Sequence, residues 1–161
     1  MATNYNEMVK NYHNVLRDES FLRLYKRLID VMNKLRLHLL SDHSYPLHVG
    51  TLHIGMHDWS YFSSTSEKLK KHKLKTILLL NHKDMKFEAW LVGGNKVELQ
   101  KWWNRFKADN QTSYTITESP VESIFEETLL HQPNLNDLTQ LVSTITANFQ
   151  HFISTIEDNL P

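Results

Sequence analysis

The sequence of 161 residues contains no cysteine, which excludes disulfide bonds, thiolate metal ligands and a cysteine nucleophile. Glycine and proline are scarce, with four of each, so neither a collagen-like repeat nor a proline-rich disordered chain fits. Positive and negative side chains balance, because 18 Lys and Arg stand against 18 Asp and Glu. A chain without a basic excess lacks the electrostatic field for strong non-specific binding to nucleic acid, and we expect no such partner.

Long hydrophobic runs are also missing, since the longest apolar run covers residues 77–80. A membrane-spanning helix needs about 20 apolar residues, so we expect no membrane partner. The N-terminal residues show neither the basic nor the apolar part of a secretory signal, and a cytoplasmic location is the expectation. The length is typical of one domain, which we predict to span residues 1–161.

Sequence motifs that define common enzyme classes are missing as well. The chain contains no G-x-G-x-x-G, Walker loop, G-x-S-x-G or H-E-x-x-H pattern. We therefore predict no catalytic residue and no cofactor, and we favour a protein without enzymatic activity.

Hydrophobic residues recur at three- and four-residue spacing in the first and last thirds of the chain, a pattern that predicts amphipathic helices. We expect these helices over residues 5–16, 21–39 and 138–156. Asn95 and Glu98 have the spacing of a capping box, so another helix is expected to begin there. The clearest helix start is the Ser-Pro-Val-Glu sequence of residues 119–122, and Pro133 is expected to end that helix.

The middle third is rich in alternating apolar and polar residues, which predicts strands. We expect strands over residues 51–56, 59–63, 74–82 and 86–92. A short basic helix capped by Ser64 separates the second strand from the third, and residues 113–117 have strand propensity. This order predicts an α+β fold, in which a small antiparallel sheet packs against N-terminal and C-terminal helices.

The two central strands are joined by residues 83–85, which suits a hairpin. A register that pairs His82 with Lys86 would place Glu88 and Trp90 on a mixed face with His82. The core face would then hold apolar residues only, namely Ile77, Leu79, Phe87, Ala89 and Leu91. A carboxylate beside Leu and Trp is partly desolvated, which is typical of functional sites. The alternative is a structural Glu at the sheet rim, solvated or paired with Lys or His.

The candidate binding surface combines this face with polar and aromatic residues nearby in the predicted fold. Gly93 and Gly94 precede the helix start at Asn95, and free N–H groups at a helix N-terminus attract anions. Consecutive tryptophans on a helix point about 100° apart, so one of Trp102 and Trp103 is expected at the edge of the apolar stripe. The predicted ligand-binding residues are Asp58, Tyr61, His82, Glu88, Trp90, Asn95 and Trp103.

Two histidines near the second polar cluster raise the question of a metal site. On a straight strand His53 and His57 lie about 13 Å apart, too far to share one zinc ion unless Gly55 introduces a bulge. We therefore predict no metal site.

Several stretches resemble a family of small bacterial proteins that is classed only as a domain of unknown function. The stretches are residues 55–62, 69–75, 81–82 and 87–95, followed by Trp103. The resemblance covers nearly the whole length and implies one compact domain, without a known activity, cofactor or catalytic residue. Relatives often carry Arg at the position of Gly94, and this difference weakens an anion-binding role beside Asn95.

Three functional hypotheses remain open at this point. The favoured one is a non-enzymatic module that binds a small ligand or a protein or peptide partner. The second is a metal-dependent hydrolase or nuclease that uses Asp58 and Glu88, although Trp90 stands where such nucleases carry Lys. The third is a structural homodimer that pairs the helices of residues 21–39 and 135–160.

Overall fold

The structure is a computed structural model that describes residues 4–109 and 112–161. Within these ranges the polypeptide forms helices and strands in mixed order. In chain order they are α1 (Tyr5–Arg17), α2 (Glu19–Ser41), β1 (His48–Val49), β2 (Trp59–Thr65), α3 (Glu67–Lys71), β3 (Leu74–Asn81), β4 (Lys86–Gly93), α4 (Lys96–Asp109), β5 (Phe125–His131) and α5 (Leu138–Asp158).

The strands form one antiparallel sheet in the order β1-β2-β3-β4-β5, so each strand pairs with its neighbour in sequence. Helices precede and follow the sheet along the chain, which confirms the predicted α+β fold. In the part of the chain that the structure describes, none of the helices combines the length and apolar character that crossing a bilayer requires.

One face of the sheet, here called the inner face, packs against helices to form the main core. Helices α2, α3, α4 and α5 all contribute buried side chains to it. The strand residues of the inner face include Phe62, Leu78, Leu80, Phe87, Ala89 and Leu91. The apolar stripes predicted for residues 21–39 and 138–156 are therefore used within the chain, where α2 and α5 contact each other. The third hypothesis, which pairs these helices across a dimer, stays a prediction.

The opposite face, here called the outer face, has a smaller apolar cluster of its own. Leu79, Trp90 and Val92 are buried there, and Tyr61 and Ile77 pack against them. Every member of this cluster lies on a strand. Large side chains on neighbouring strands therefore cover one another on this face, without a helix above them.

The register of the central hairpin differs by one residue from the expected one. Asn81, and not His82, pairs with Lys86, so the connecting loop has four residues. The Asn81 side chain accepts a hydrogen bond from the Asp84 N–H at 3.0 Å, and Met85 adopts a left-handed conformation with φ 48°. These two features close a loop one residue longer than predicted.

The shifted register corrects the expected faces of β3 but not those of β4. Leu78 and Leu80 face the core in place of Ile77 and Leu79, because a slip of one residue exchanges the two faces of a strand. Phe87, Ala89 and Leu91 face the core as predicted.

The predicted helix that starts at residues 119–122 is wrong, since this part of the chain leads into strand β5. A β-bulge opposite Phe87 and Glu88 pairs Thr128 with Glu88 and Leu130 with Phe87. The residue between them, Leu129, is buried in the core, and Leu130 packs against the same cluster. The bulge thus lets two consecutive leucines face the same side.

Three smaller expectations also change. In place of the strand expected over residues 51–56 there is an isolated bridge between His53 and Tyr61. Strand β1, which pairs with β2, lies just before these residues in the chain. The short basic helix is capped by Ser66, whose Oγ accepts from the Leu69 N–H at 3.1 Å, and not by Ser64. Residues 113–117 contribute a single bridge, from Ile116 to Phe125.

The observed register predicts unequal costs for two neighbouring substitutions on β3. Leu78→Ala should lower the free energy of unfolding by about 2–5 kcal/mol, because Leu78 is completely buried among core residues. Ile77→Ala should cost only about 1 kcal/mol, because Ile77 is half-buried on the outer face. Urea unfolding of both variants measures the difference, and a larger cost at Ile77 would contradict this register.

Candidate functional site

The seven residues predicted to share one hollow lie in three separate places. Tyr61, Glu88 and Trp90 belong to the outer face. His82 lies just beyond the end of β3 and lines a cleft that is formed mainly by residues of α1 and α2. Asp58 precedes β2 near His82, and its charge acts on that imidazole. Asn95 and Trp103 belong to α4 and its cap. The candidate binding surface is therefore divided, because the one-residue register shift separates His82 from Glu88.

Glu88 is held in an ion pair on the outer face. Only 5% of the residue is exposed, and its Oε1 lies 3.0 Å from Nζ of Lys86. The Asn81 amide donates to Oε2 at 3.4 Å. A buried carboxylate needs such partners to offset its lost hydration. The geometry fits the structural alternative considered for Glu88, a carboxylate paired with Lys.

Aromatic rings also pack against one another on the outer face. The Trp90 ring packs edge-on against Trp59 at a centroid distance of 5.2 Å, and His53 stacks on Tyr61 at 4.9 Å. The indole N–H of Trp90 is buried without a hydrogen-bond partner among the described residues. These rings cover one another and exclude water from the cluster, which helps to explain how it is buried on the outer face.

Asn95 and Trp103 have local structural roles. The Asn95 side chain accepts a hydrogen bond from the Glu98 N–H at 2.9 Å, as an N-cap of α4 does. The indole N–H of Trp103 donates to the Thr117 carbonyl oxygen at 2.9 Å. The Lys107 Nζ lies over the same ring, 4.3 Å from its centroid. Trp102 is the buried member of the pair, and the half-buried Trp103 occupies the edge of the stripe as predicted.

A cleft of about 480 Å³ lies where α1 and α2 meet the end of the central hairpin. The lining residues come from α1, from α2, from the segment that precedes β2 and from the loop of the central hairpin. They are Tyr12, Val15, Leu16, Phe21, Leu24, Tyr25, Leu28, Met56, His57, His82 and Met85. Of the residues predicted from sequence, only His82 belongs to this cleft. The sequence signal that points toward the cleft is the apolar stripe of α1, which by itself predicts only an amphipathic helix.

A chain of hydrogen bonds fixes His82 at the wall of the cleft. Its Nε2 lies 2.7 Å from Oγ of the completely buried Ser60, and its ring stacks on Tyr25 at a centroid distance of 6.0 Å. Ser60 Oγ accepts from the Gly55 N–H at 3.0 Å, and the Tyr25 hydroxyl donates to the Gly55 carbonyl oxygen at 2.9 Å. The imidazole is therefore anchored on two sides.

The Ser60 hydroxyl has one hydrogen to donate, so the tautomer of His82 depends on which acceptor receives it. Two acceptors are within reach, His82 Nε2 at 2.7 Å and the Gly55 carbonyl oxygen at 3.4 Å. Donation to Nε2, the shorter contact, leaves the ring proton on Nδ1, whereas donation to Gly55 places it on Nε2. Among residues 4–109 and 112–161, Nδ1 has no hydrogen-bond partner.

Burial lowers the pKa of His82 below 6.5, because an imidazolium in this half-buried position would lose part of its hydration. The negative charge of Asp58 acts in the opposite direction but does not cancel the effect. His82 is therefore neutral at pH 7, and a neutral imidazole can accept a hydrogen bond from Ser60.

The carboxylates of the hydrolase hypothesis are not brought together. Glu88 is paired with Lys86 on the outer face, whereas the Asp58 carboxylate lies against Gly55 near the cleft. His53 stacks on Tyr61, and His57 lines the cleft. Across the described ranges, the structure has no group of three or more His, Asp or Glu side chains placed to hold a metal ion.

Comparison with known proteins identifies a family. A family model described as Domain of unknown function (DUF7000) covers residues 5–160, which include every stretch that carried the resemblance. No curated protein and no solved structure matches the chain.

The ion pair of Glu88 predicts a measurable coupling. Lys86→Met should lower the free energy of unfolding by about 1–3 kcal/mol, because it leaves a buried carboxylate without its cation. The double variant with Glu88→Leu should recover most of this loss, since no charge then remains unpaired. Urea unfolding of the three variants tests the cycle, and additive effects would show that the pair is uncoupled.

His82 predicts a pH dependence of stability. Its pKa in the folded state is below the unfolded value near 6.5, so the unfolded chain gains a proton first as the pH falls. The contribution of His82 is complete above that value and is lost as the pH falls through it toward the folded pKa. Between pH 7.5 and 5.5 the wild type should lose more stability than His82→Gln. Equal losses in the two proteins would contradict the lowered pKa.

Proposed function

The chain belongs to the family Domain of unknown function (DUF7000), whose description assigns no activity, and we propose from its own geometry that it binds a small apolar ligand. The binding site is the cleft between α1, α2 and the end of the central hairpin. The observation that carries the proposal is this cleft, apolar in most of its lining, with the fixed imidazole of His82 in its wall.

The size and lining of the cleft are typical of ligand sites. Its volume of about 480 Å³ falls within the roughly 300–1,000 Å³ of small-molecule pockets. Most lining side chains are aliphatic or aromatic, and a few polar groups accompany them, as in most binding sites. No Lys, Arg, Asp or Glu is among the lining residues. An uncharged ligand is favoured, because a charged one would lose hydration without gaining a partner.

His82 supplies a criterion for the polar part of the ligand. With Nε2 occupied by Ser60, the nitrogen left for a ligand is Nδ1, which carries the proton when Ser60 donates to Nε2. The ligand that fits is therefore an apolar molecule with one uncharged acceptor, such as a hydroxyl, ketone or ester oxygen. The Tyr25 hydroxyl already donates its hydrogen to the Gly55 carbonyl oxygen, so His82 is the donor for the ligand.

The Ser60–His82 contact also resembles the pair that activates a serine nucleophile. Ser60 is completely buried, accepts a second hydrogen bond from Gly55 and is not among the lining residues of the cleft. A nucleophile must reach its substrate, so this burial favours binding over acyl transfer. Hydrolysis of p-nitrophenyl decanoate that is lost in Ser60→Ala would support the enzymatic alternative instead.

Thermal unfolding with decanol and decanoate tests the proposed site. Decanol at tenfold excess over its Kd should stabilise the folded protein by about 1.4 kcal/mol, whereas decanoate should bind less tightly because the lining offers no cation. Leu24→Asp, at a lining position that is 45% exposed, should abolish the effect of decanol. Leu37→Asp is the matched control, since it is exposed on the same helix but outside the cleft.

A second variant separates the hydrogen bond from the apolar contact. His82→Phe keeps an aromatic ring in the wall and removes the donor, so decanol affinity should fall about tenfold. Absence of stabilisation by decanol, or equal effects of Leu24→Asp and Leu37→Asp, would refute the proposed site.

A further inference from the structure

Helix α1 presents a complete apolar stripe to solvent. Tyr5, Met8, Val9, Tyr12 and Val15, here called the α1 face, recur at the spacing of one side of a helix and are between 46% and 73% exposed. No residue of α1 is buried, and the helix packs against α2 alone among its larger contacts.

An amphipathic helix of this kind normally buries its stripe. Helices of about 12–15 residues are marginally stable in water, and most of their stability in proteins comes from packing of the apolar face. Helix α1 has 13 residues and contributes none of them to the core. The α1 face is therefore a surface whose burial would stabilise the helix.

The area of the surface matches that of one side of a protein interface. Leu24 and Met56, which are exposed at 45% and 49%, border the same cleft as Tyr12 and Val15. With them, the α1 face leaves on the order of 800 Å² accessible, about what one partner contributes to a standard interface. Exposed apolar patches of this size mark interaction sites.

We propose that a second copy of this chain covers the α1 face. The face carries no charged residue, so it offers nothing for recognition of an acidic or basic partner. The chain has a formal net charge of zero, and two copies therefore approach each other without net repulsion. A two-fold axis brings identical apolar faces together, and such a face is complementary to itself.

A lipid surface is the less favoured partner. Helices that lie on membranes carry many Lys and Arg on the polar side and bulky Trp, Phe or Leu on the apolar side. The polar side of α1 has Lys10 and Arg17 against Glu7, together with several asparagines.

Sedimentation equilibrium of the full chain tests the dimer. The wild type should sediment with twice the mass of one chain, and Val9→Glu should be monomeric because it places a carboxylate in the interface. Val97→Glu is the matched control, since Val97 is exposed at 74% on α4, and it should remain dimeric. A monomeric wild type refutes the proposal, and so does a Val9→Glu variant that stays dimeric. Circular dichroism verifies that the variants are folded.

Disulfide cross-linking gives a second readout, because the chain has no cysteine of its own. Tyr12 lies in the middle part of the α1 face, so it approaches its equivalent in either two-fold arrangement of the helices. Tyr12→Cys should therefore form a covalent dimer under mild oxidation, whereas Val97→Cys should not. Equal cross-linking of the two variants would contradict the interface, and flotation of a monomeric wild type with phosphatidylglycerol vesicles would assign the face to lipid.

The Val9→Glu variant separates the dimer test from the ligand test. Val9 is not a lining residue of the cleft, so a monomeric Val9→Glu variant should still be stabilised by decanol. Binding of decanol can therefore be measured in a variant that does not dimerise.

Discussion

The pairing of β3 with β4 is the constraint on which the rest of the structure depends. These strands form the middle of the sheet and bury side chains on both faces, so their register decides what each face holds. Leu80 and Phe87 meet the helices, whereas Leu79 and Glu88 face outward. The loop fixes this choice, because the Asn81 side chain binds the Asp84 N–H and thereby sets a four-residue turn. The same register directs His82 toward the cleft and Glu88 toward Lys86.

The sequence predicted the helices and the fold class because those features are encoded locally. The stripes of α2, α4 and α5 repeat over several turns, and each marks its own buried side. The register of β3 had no such marker, since residues 77–80 are all apolar and no polar residue among them identifies the outer face. The turn depended on a side-chain contact of Asn81 that residue spacing does not reveal. Because the observed register differs by one residue, His82 and Glu88 lie on opposite faces of the sheet, and the predicted residues do not form one surface.

The sequence did not predict strand β5 or the cleft for a second reason. Both depend on contacts between residues that are far apart in the chain. Phe125, Leu129 and Leu130 have the spacing of one side of a helix, and a bulged strand accommodates the same spacing. The capping signal at residues 119–122 favoured a helix, but the edge of β4 requires backbone partners, and β5 supplies them. The cleft likewise joins four segments that only the folded chain brings together. The apolar stripe of α1 predicts one wall of the cleft, but not the segments that complete it.

The two apolar surfaces left outside the core differ in how they are covered. On the outer face, Trp90 and Leu79 are buried by neighbouring side chains of the sheet itself. Helix α1 has no such neighbours, and its stripe stays accessible along its whole length. Tyr12 and Val15 belong both to this stripe and to the cleft lining. If a second copy covers the α1 face as proposed, it also lies beside the cleft, and any effect of a ligand on the affinity between chains would equal the effect of dimerisation on ligand affinity.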